Sequence, residues 1–213
     1  MKQQFASNTY LVWAHPRVDS LTAAIVGEIK QEAGRQNMGI TELDLYRANF
    51  NPVLAPDEEP DWSNPDKVFS QEVTELFQAM ENHDNIVVVF PVWWFAFPAI
   101  LKGYIDRIWN YGLAYGRGHK LPVSSVRWVA LVGGAEEKFK QMGKDTFMAD
   151  QLNGLAKYCR TPDSDVAFLY NTIGFEENID NADKHYQQLL AQARSVVVEL
   201  TDKGHETDNT TSA

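Results

Sequence analysis

The sequence NIVVVFPVWWFAFP, from Asn85 to Pro98, joins a run of apolar residues to a group of aromatic residues between two prolines. The run Asn85–Pro91 is typical of a β-strand that is buried on both faces, as in a parallel sheet. Four other runs share this character, the last of them shorter: Thr9–Ala14, Val126–Val132, Val166–Tyr170 and Ile40–Leu45. The sequence therefore predicts five strands.

Between these runs, apolar residues recur at the three- and four-residue spacing of a helix face. This spacing predicts five helices, marked by the segments Leu21–Ala33, Val68–Met80, Ile100–Trp109, Phe147–Leu155 and Tyr186–Leu200. Strands that alternate with helices form parallel sheets, because each right-handed crossover helix packs back onto the sheet. We expect an α/β fold with a doubly wound parallel sheet and helices on both faces.

The composition of the 213-residue chain, 44% apolar and 23% charged, is that of a globular protein. We expect a single domain over residues 1–203 and a polar C-terminal tail over residues 204–213. The net charge of −10, from 19 Lys and Arg against 29 Asp and Glu, repels phosphate backbones. Nucleic acid is therefore not an expected partner.

The sequence predicts neither a membrane span nor export. No apolar run approaches the roughly 18–20 residues that cross a bilayer, and Met1–Asn8 lacks the features of a signal peptide. The single cysteine, Cys159, can form neither an intrachain disulfide nor a multi-cysteine metal site. We expect a protein of the reducing cytoplasm with no metal site and no integral membrane segment.

A long segment, Arg47–Asp66, contains four prolines and a run of acids. It is expected to be an excursion on the surface rather than a linker between domains. Long loops of this kind are often functional.

Three groups of residues follow predicted strands, and ligands of open α/β sheets bind beyond the carboxyl ends of strands. The first group is HPRVDSLT, residues His15–Thr22. Ser20 is the predicted N-cap of the first helix, so the first amides of that helix would face an anion. His15 and Arg17 add hydrogen-bond donors that suit a phosphate. The alternative is an ordinary capped helix with an exposed Arg and a His bonded to the backbone. Rossmann and P-loop glycine patterns are missing from this segment, which disfavours a nucleoside triphosphate.

The second group is Pro91–Pro98 at the end of the third strand, with two Trp and two Phe between prolines. A flat aromatic and backbone surface at this place suits a flat ligand. Packing under a loop or at a dimer interface is the alternative. The third group is Gly133-Gly134 after the fourth strand, where two glycines permit a ligand to approach the backbone closely. Taken alone, a Gly-Gly pair is a common turn.

These groups together resemble the flavodoxin-fold NAD(P)H:quinone oxidoreductases, a family that includes flavoprotein ancillary subunits of bacterial potassium-efflux systems. The resemblance covers residues 8–200 and implies a flavodoxin-like five-stranded parallel sheet of order 2-1-3-4-5. The motifs that carry it are His15…Ser20-Leu21-Thr22, Asp44-Leu45-Tyr46…Asn49-Phe50-Asn51-Pro52, Pro91-Val92-Trp93-Trp94-Phe95…Pro98-Ala99-Ile100-Leu101-Lys102-Gly103…Asp106-Arg107, Ala114-Tyr115 and Gly133-Gly134.

The resemblance implies a flavin, FAD rather than FMN because of the Asn49–Pro52 stretch, with NAD(P)H as co-substrate. It implies catalytic roles for Tyr115, on the substrate side, and for Trp94, and it implies a homodimer in which the partner completes each site. The implied phosphate contacts are His15, Arg17, Ser20, Leu21 and Thr22, and the implied ring contacts are Pro91, Val92, Trp93, Trp94, Phe95, Gly133 and Gly134.

The chain departs from this family at one place. Quinone reductases of the mammalian type place a Tyr and a His shortly after the double glycine, where they handle charge on the flavin. Phe139 and Asp145 stand near these positions here. Phe has no hydroxyl and Asp is an anion at neutral pH, so neither copies that role. We interpret the surrounding stretch, Glu136–Lys140, as a solvated charged turn.

Two functions follow from the resemblance. The first is a flavin-dependent oxidoreductase that passes two electrons from NAD(P)H to a quinone-like acceptor by a substituted-enzyme cycle, with azo dyes and nitroaromatics as further acceptors. The second is a flavin-binding regulatory subunit of a potassium-efflux transporter. A one-electron carrier like true flavodoxin is disfavoured, because the hydroxyl- and glycine-rich phosphate loop expected there is replaced by His15–Thr22.

Overall fold

The computed structural model describes residue 5 and residues 7–64, 66–174 and 179–210, with side chains described as far as residue 202. Its five strands form one parallel sheet in the order β2-β1-β3-β4-β5. The strands are β1 (Ser7–Trp13), β2 (Met38–Asp44), β3 (Asn85–Pro91), β4 (Ser125–Leu131) and β5 (Asp163–Leu169). The predicted fold class and strand order are confirmed.

The two central strands β3 and β4 are buried along their whole length, which explains their unbroken apolar sequences. The edge strand β5 is only half-buried over most of its length and begins before Val166, where the sequence predicted its start. Its polar first residues pair with β4, and Arg127 Nη2 donates to Asp163 Oδ2 at 2.5 Å. Because these polar residues pair with β4, strand β5 is longer at its start than the apolar pattern of the sequence predicted.

Six helices cover the sheet in the described residues: α1 (Leu21–Arg35), α2 (Gln71–Gln78), α3 (Ala99–Ile108), α4 (Glu136–Gln141), α5 (Lys144–Tyr158) and α6 (Ala182–Thr210). Alternate residues of each strand point to opposite faces, so two separate cores form. Leu11 and Val87 pack with α1 and α6, whereas Tyr10 and Val88 pack with α2, α3 and α5. The sheet is doubly wound.

The interpretation of Glu136–Lys140 as a solvated turn is wrong, because this stretch forms helix α4. Phe139 decides the outcome: its side chain is 5% exposed and packs against Phe168 and Tyr170, with ring centroids 6.1 and 5.9 Å apart. One buried aromatic residue fixes the orientation of a helix whose other residues are polar and exposed.

Two helix boundaries differ from the expected ones. Helix α2 begins at Gln71 rather than near Val68, because Ser70 Oγ accepts the amide of Val73 as an N-cap. Helix α6 continues to Thr210, through most of the segment that we expected to be a tail. The single-domain expectation stays a prediction. Over the described ranges, no helix is long and apolar enough to span a membrane.

The long segment Arg47–Asp66 is fixed to helix α3 by a buried ion pair. Arg107 Nε and Nη2 donate to the two carboxylate oxygens of Glu58 at 2.6 and 2.9 Å, and Arg107 Nη1 donates to the carbonyl of Asn51 at 2.6 Å. This guanidinium holds the pKa of the Glu58 carboxyl below its usual value. The segment also needs Gly103, where a Cβ would lie 2.2 Å from the carbonyl oxygen of Pro52.

Candidate active site

The loop after β1 leads into the N-terminus of α1. Ser20 is its N-cap, as predicted, and Ser20 Oγ accepts the amide of Ala23 at 3.2 Å. The main-chain carbonyl of Ser20 accepts the amide of Ala24 at 3.1 Å. The amides of Leu21 and Thr22 are therefore the ones in this first turn that a bound anion would meet, with the positive end of the helix dipole behind them.

The ring of His15 is held by its own loop. The amide of Arg17 donates to His15 Nδ1 at 3.1 Å. The carbonyl of Arg17 lies 3.2 Å from the same Nδ1, so the contacts of this atom fit either neutral tautomer. In the tautomer whose Nδ1 accepts from the amide, Nε2 carries the proton and can donate to an anion. Burial lowers the pKa of His15, and the charges of Arg17 and Arg47 act in the same direction. Arg17 itself is exposed, with its Nε 3.6 Å from Asp19, so its guanidinium can reach a ligand.

Arg47, which the sequence analysis did not single out, fixes this loop from the end of β2. Its Nη2 and Nη1 donate to the carbonyls of His15 and Pro16 at 2.5 and 2.9 Å, while its Nε donates to Asp44 Oδ2 at 2.6 Å. Its guanidinium carbon lies 5.0 Å from the centroid of the Trp13 ring. The loop is thus held by two charge-assisted hydrogen bonds from a neighbouring strand.

The aromatic segment after β3 makes a tight turn. The amide and carbonyl of Trp93 bond to the carbonyl and amide of Ala96 at 2.9 and 3.0 Å. The two residues between them, Trp94 and Phe95, have φ of 52° and 59°. Such angles are typical of a type I′ turn, which prefers Gly and Asn, and they strain aromatic residues. Trp94 is also 94% exposed, so core packing does not explain why this strained turn carries it.

Beside this turn lies a cavity of about 400 Å³ at the carboxyl ends of β3 and β4. Its walls are largely apolar and aromatic, as ligand sites generally are. The ten residues that line it are Val92, Trp94, Phe95, Val132, Gly133, Gly134, Ala135, Lys138, Phe139 and Met142. A Cβ built on Gly134 would meet no other atom within 4 Å, so the protein's own packing does not require a glycine there. The space is open to a ligand that approaches the backbone.

The loop after β1, His15–Ser20, which we call the phosphate-type loop, and the aromatic turn Trp93–Ala96 lie side by side. The rings of His15 and Trp93 lie with their centroids 6.1 Å apart. His15 follows β1 and Trp93 follows β3, the two neighbouring strands at which the strand order reverses. Open α/β sheets bind ligands at this switch point. The N-terminus of α1 and the cavity are therefore parts of one surface.

Comparison with known proteins identifies the family. The family model described as flavodoxin-like fold matches residues 7–194. The chain belongs to the flavodoxin-like fold family. One relative, from Escherichia coli (strain K12), is named uncharacterized NAD(P)H oxidoreductase YcaK; it is 56% identical over 188 residues, which are 88% of this chain and 95% of that protein. Its name agrees with the enzyme class that the sequence predicted for this flavodoxin-like chain.

A more distant relative is the glutathione-regulated potassium-efflux system ancillary protein KefF of Enterobacter sp. (strain 638). It is 31% identical over 126 residues, 57% of this chain and 72% of that protein. The NAD(P)H:quinone oxidoreductase from Methanothermobacter marburgensis superposes with a TM-score of 0.79 at 22% identity, over 91% of this chain and 96% of that one. An FMN-dependent NADH-azoreductase from Bacillus anthracis str. Ames Ancestor, solved in complex with FMN, gives 0.67 at 16% identity, over 92% and 99%. These structures share the flavodoxin-like fold.

Most of the predicted site residues lie on this surface. The helix end and loop hold His15, Arg17, Ser20, Leu21 and Thr22, and the cavity wall holds Val92, Trp94, Phe95, Gly133 and Gly134, with Trp93 between the two.

Two predicted residues lie elsewhere. Pro91 is the buried last residue of β3. Tyr115 is not among the described residues that line the cavity, and its ring packs instead against Tyr111 and Tyr158, with centroids 5.7 and 5.1 Å apart. The role of Tyr115 on the substrate side therefore stays a prediction.

The sequence analysis missed one wall of the cavity. Ala135, Lys138, Phe139 and Met142 all line it. Their spacing of three, four and seven residues is that of a single helix face, which α4 and its two capping residues provide. The spacing is present in the sequence, but the four charged residues among the six of α4 favoured the interpretation of this stretch as a solvated turn.

Proposed function

We propose that this protein is a flavin-dependent oxidoreductase that takes hydride from NAD(P)H and passes two electrons to a quinone-like acceptor. The observation that carries the proposal is the contact of His15 with Trp93, which joins an anion-binding helix end to an apolar cavity at the switch point of the sheet. A flavin mononucleotide unit has this same combination of a phosphate and a flat ring. The names of the relatives support the reaction class.

The residues present fit a flavin. His15 Nε2, the guanidinium of Arg17 and the amides of Leu21 and Thr22 would hold the phosphate. The open backbone at Gly134 and the aromatic wall of Trp94 and Phe95 would hold the ring. When bound, the flavin supplies the hydride-transfer chemistry, while the protein supplies orientation and electrostatics.

Arg17 tests the phosphate assignment. Arg17→Ala should weaken flavin binding by about tenfold or more, because it removes a charge-assisted contact of roughly 1.5–3 kcal/mol. Arg35→Ala is the control, since Arg35 lies at the opposite end of α1 and changes the net charge equally. Fluorescence titration of the flavin-free protein measures both, and equal affinities for the two variants would refute the assignment.

One cavity serves both substrates in this proposal, so NAD(P)H and the acceptor bind in turn. Such a substituted-enzyme cycle gives parallel lines in double-reciprocal plots of initial rate against one substrate at several fixed concentrations of the other. Intersecting lines would instead require both substrates to be bound together.

We propose FAD as the flavin, with FMN as the alternative. The Asn49–Pro52 stretch, on which this preference rests, is tied into the fold: Phe50 is buried and the carbonyl of Asn51 accepts from Arg107. The absorbance of the purified protein, followed by chromatography of the released flavin, decides between the two. A colourless protein that takes up neither flavin would refute the proposed function.

A regulatory subunit of a potassium-efflux transporter is the second candidate, supported by the 31% identity to the ancillary protein. Co-purification of the chain with such a transporter from a membrane fraction would support it. For either function we propose a cytoplasmic homodimer; Cys159 is a free, buried thiol, as suits a reducing compartment.

A further inference from the structure

The charged side chains at the cavity wall are few and positive. Lys138 is the one charged residue among the ten described residues that line the cavity. Lys144 lies just behind the wall, with its Nζ 4.8 Å from the centroid of the Phe95 ring. This contact holds a second ammonium group against a residue that faces the cavity.

Lys138 keeps its charge available. Over the described ranges it takes part in no salt bridge, whereas Lys140 of the same helix pairs with Glu136 at 2.7 Å. The two lysines are two positions apart on α4, so they point to different faces of the helix. Both lysines are exposed, but Lys138 lies at the cavity wall without an ion-pair partner among the described residues, whereas Lys140 is paired with Glu136.

The acids near this wall, among them the exposed Glu137 directly before Lys138, lie outside the lining of the cavity. Glu136 is engaged by Lys140, and Asp145 lies in the first turn of α5, where it interacts with the helix dipole. Neither acid lines the cavity. Their effect is seen on Tyr170, whose pKa is raised to about 12, first by burial and then by the charges of Asp145 and Glu136.

We propose that Lys138, assisted by Lys144, raises the reduction potential of a flavin bound in this cavity. The inference rests on the proposed function. Hydride transfer oxidises NAD(P)H to NAD(P)⁺ and delivers two electrons and one proton, so the ring gains one negative charge. Lys138 is exposed at the wall of a largely apolar cavity, and a positive charge beside the ring there stabilises the more negative state of the ligand.

This role accounts for the departure noted in the sequence. Phe139 and Asp145 cannot place a positive charge beside the ring, whereas Lys138, immediately before Phe139, can. Lys138 thus acts as a positioning charge and takes no part in bond formation.

The test measures the midpoint potential of the bound flavin by equilibrium reduction against a reference dye, in parallel with the dissociation constant of the oxidised flavin. Lys138→Met should lower the preference for the reduced flavin about tenfold, which is about 30 mV for a two-electron couple. Lys144→Met should have a smaller effect in the same direction. Lys140→Met, which removes an equal charge from the other face of α4, should change the preference less than twofold.

The outcomes separate the inference from the proposed function. If the unmodified protein takes up no flavin, the proposed function and the inference both fail. If it takes up flavin but Lys138→Met and Lys140→Met have the same potential, the inference alone is wrong. Lys138→Arg retains the charge, so its preference for the reduced flavin should stay within twofold of that of the unmodified protein. A fall in this preference as large as that of Lys138→Met would also overturn the inference.

Discussion

Trp94 stands in a left-handed backbone conformation that costs a non-glycine residue about 1–2 kcal/mol. Its side chain is almost fully exposed, so it contributes little burial in return. Strain of this kind persists where it serves a site, because the fold would be more stable without it. Here the strain lifts an aromatic side chain to the rim of the cavity.

We expect Trp94→Gly to raise the free energy of unfolding by about 0.5–1 kcal/mol, because glycine adopts this conformation without a Cβ clash. The same variant should lose turnover, since the rim that positions the ring is gone. Trp94→Ala should lose turnover without gaining stability. Urea denaturation and a steady-state quinone reductase assay check the two effects, and a Trp94→Gly protein that is both fully active and more stable would return the turn to a packing role.

Arg47 sets the geometry of the phosphate-type loop through the carbonyls of His15 and Pro16. Arg47→Met should weaken flavin binding several-fold and raise the pKa of His15, because the charge of Arg47 helps to lower that pKa. An NMR titration of the His15 ring measures the shift. Arg35→Met, remote from the loop, is the matched control and should leave the His15 pKa unchanged. A His15 pKa that is unchanged in Arg47→Met would contradict the role of Arg47 in holding this loop.

At the scale of elements, the ion pair of Arg107 with Glu58 ties helix α3 to the long segment after β2. Arg107→Met should destabilise the protein by about 3–5 kcal/mol, because it leaves a buried carboxylate uncompensated. Lys102→Met is the control, since Lys102 pairs with Asp106 on the exposed side of the same helix. Thermal unfolding of both variants distinguishes them, and equal melting temperatures would refute the prediction.

The same pair gives a pH dependence. The folded pKa of Glu58 lies below its unfolded value of about 4.3. Glu58 therefore contributes stability above that value and loses the contribution as the pH falls through the folded pKa. This acid-labile part of the stability should be missing from Arg107→Met.

Helix α5 begins close to the cavity and carries Asp145 in its first turn. Asp145 does not line the cavity, so we expect Asp145→Asn to slow reduction of the bound flavin by NAD(P)H less than about tenfold, short of the 10²–10⁴ of an essential proton-transfer group. Stopped-flow bleaching of the flavin measures this step. A thousandfold loss with flavin still bound would show that this carboxylate takes part in the chemistry.

At the scale of the whole molecule, a second aromatic surface lies apart from the cavity. It is formed by Trp62, Tyr111, Tyr115 and Tyr158, whose successive rings lie 5.5, 5.7 and 5.1 Å apart. Trp62 and Tyr158 are 64% and 68% exposed. Exposed aromatic residues are enriched at interfaces, so this surface suits the proposed homodimer.

The protein should have twice the mass of the 24.1 kDa chain in solution. The double variant Trp62→Ser with Tyr158→Ser should shift it towards the monomer and reduce turnover, because Tyr115 of a second copy could no longer reach the cavity. Val68→Ser, which changes an apolar residue elsewhere that is still more exposed, should remain dimeric. Sedimentation velocity decides the state, and a monomeric unmodified protein with full activity would exclude a contribution from the partner.

The apolar runs sufficed to predict the sheet, the resemblance supplied its strand order, and the segments after the strands indicated most of the candidate site. Buried parallel strands need unbroken apolar runs, and their carboxyl ends gather the loops on one side, so His15–Thr22, Trp93–Phe95 and Gly133-Gly134 could be assigned to one surface in advance. These signals are local in the chain and therefore legible.

Three features could be described only from the folded chain, because each depends on a partner distant in sequence: the roles of Arg47 and Arg107, and helix α4. Arg47 holds the loop after β1 by donating to the carbonyls of His15 and Pro16. Arg107 holds the long segment after β2 by donating to Glu58. Helix α4 formed because the ring of Phe139 found the rings of Phe168 and Tyr170 across the sheet edge, which outweighed the charged pattern around it. That packing turned Lys138 towards the cavity, a direction that no local pattern specifies.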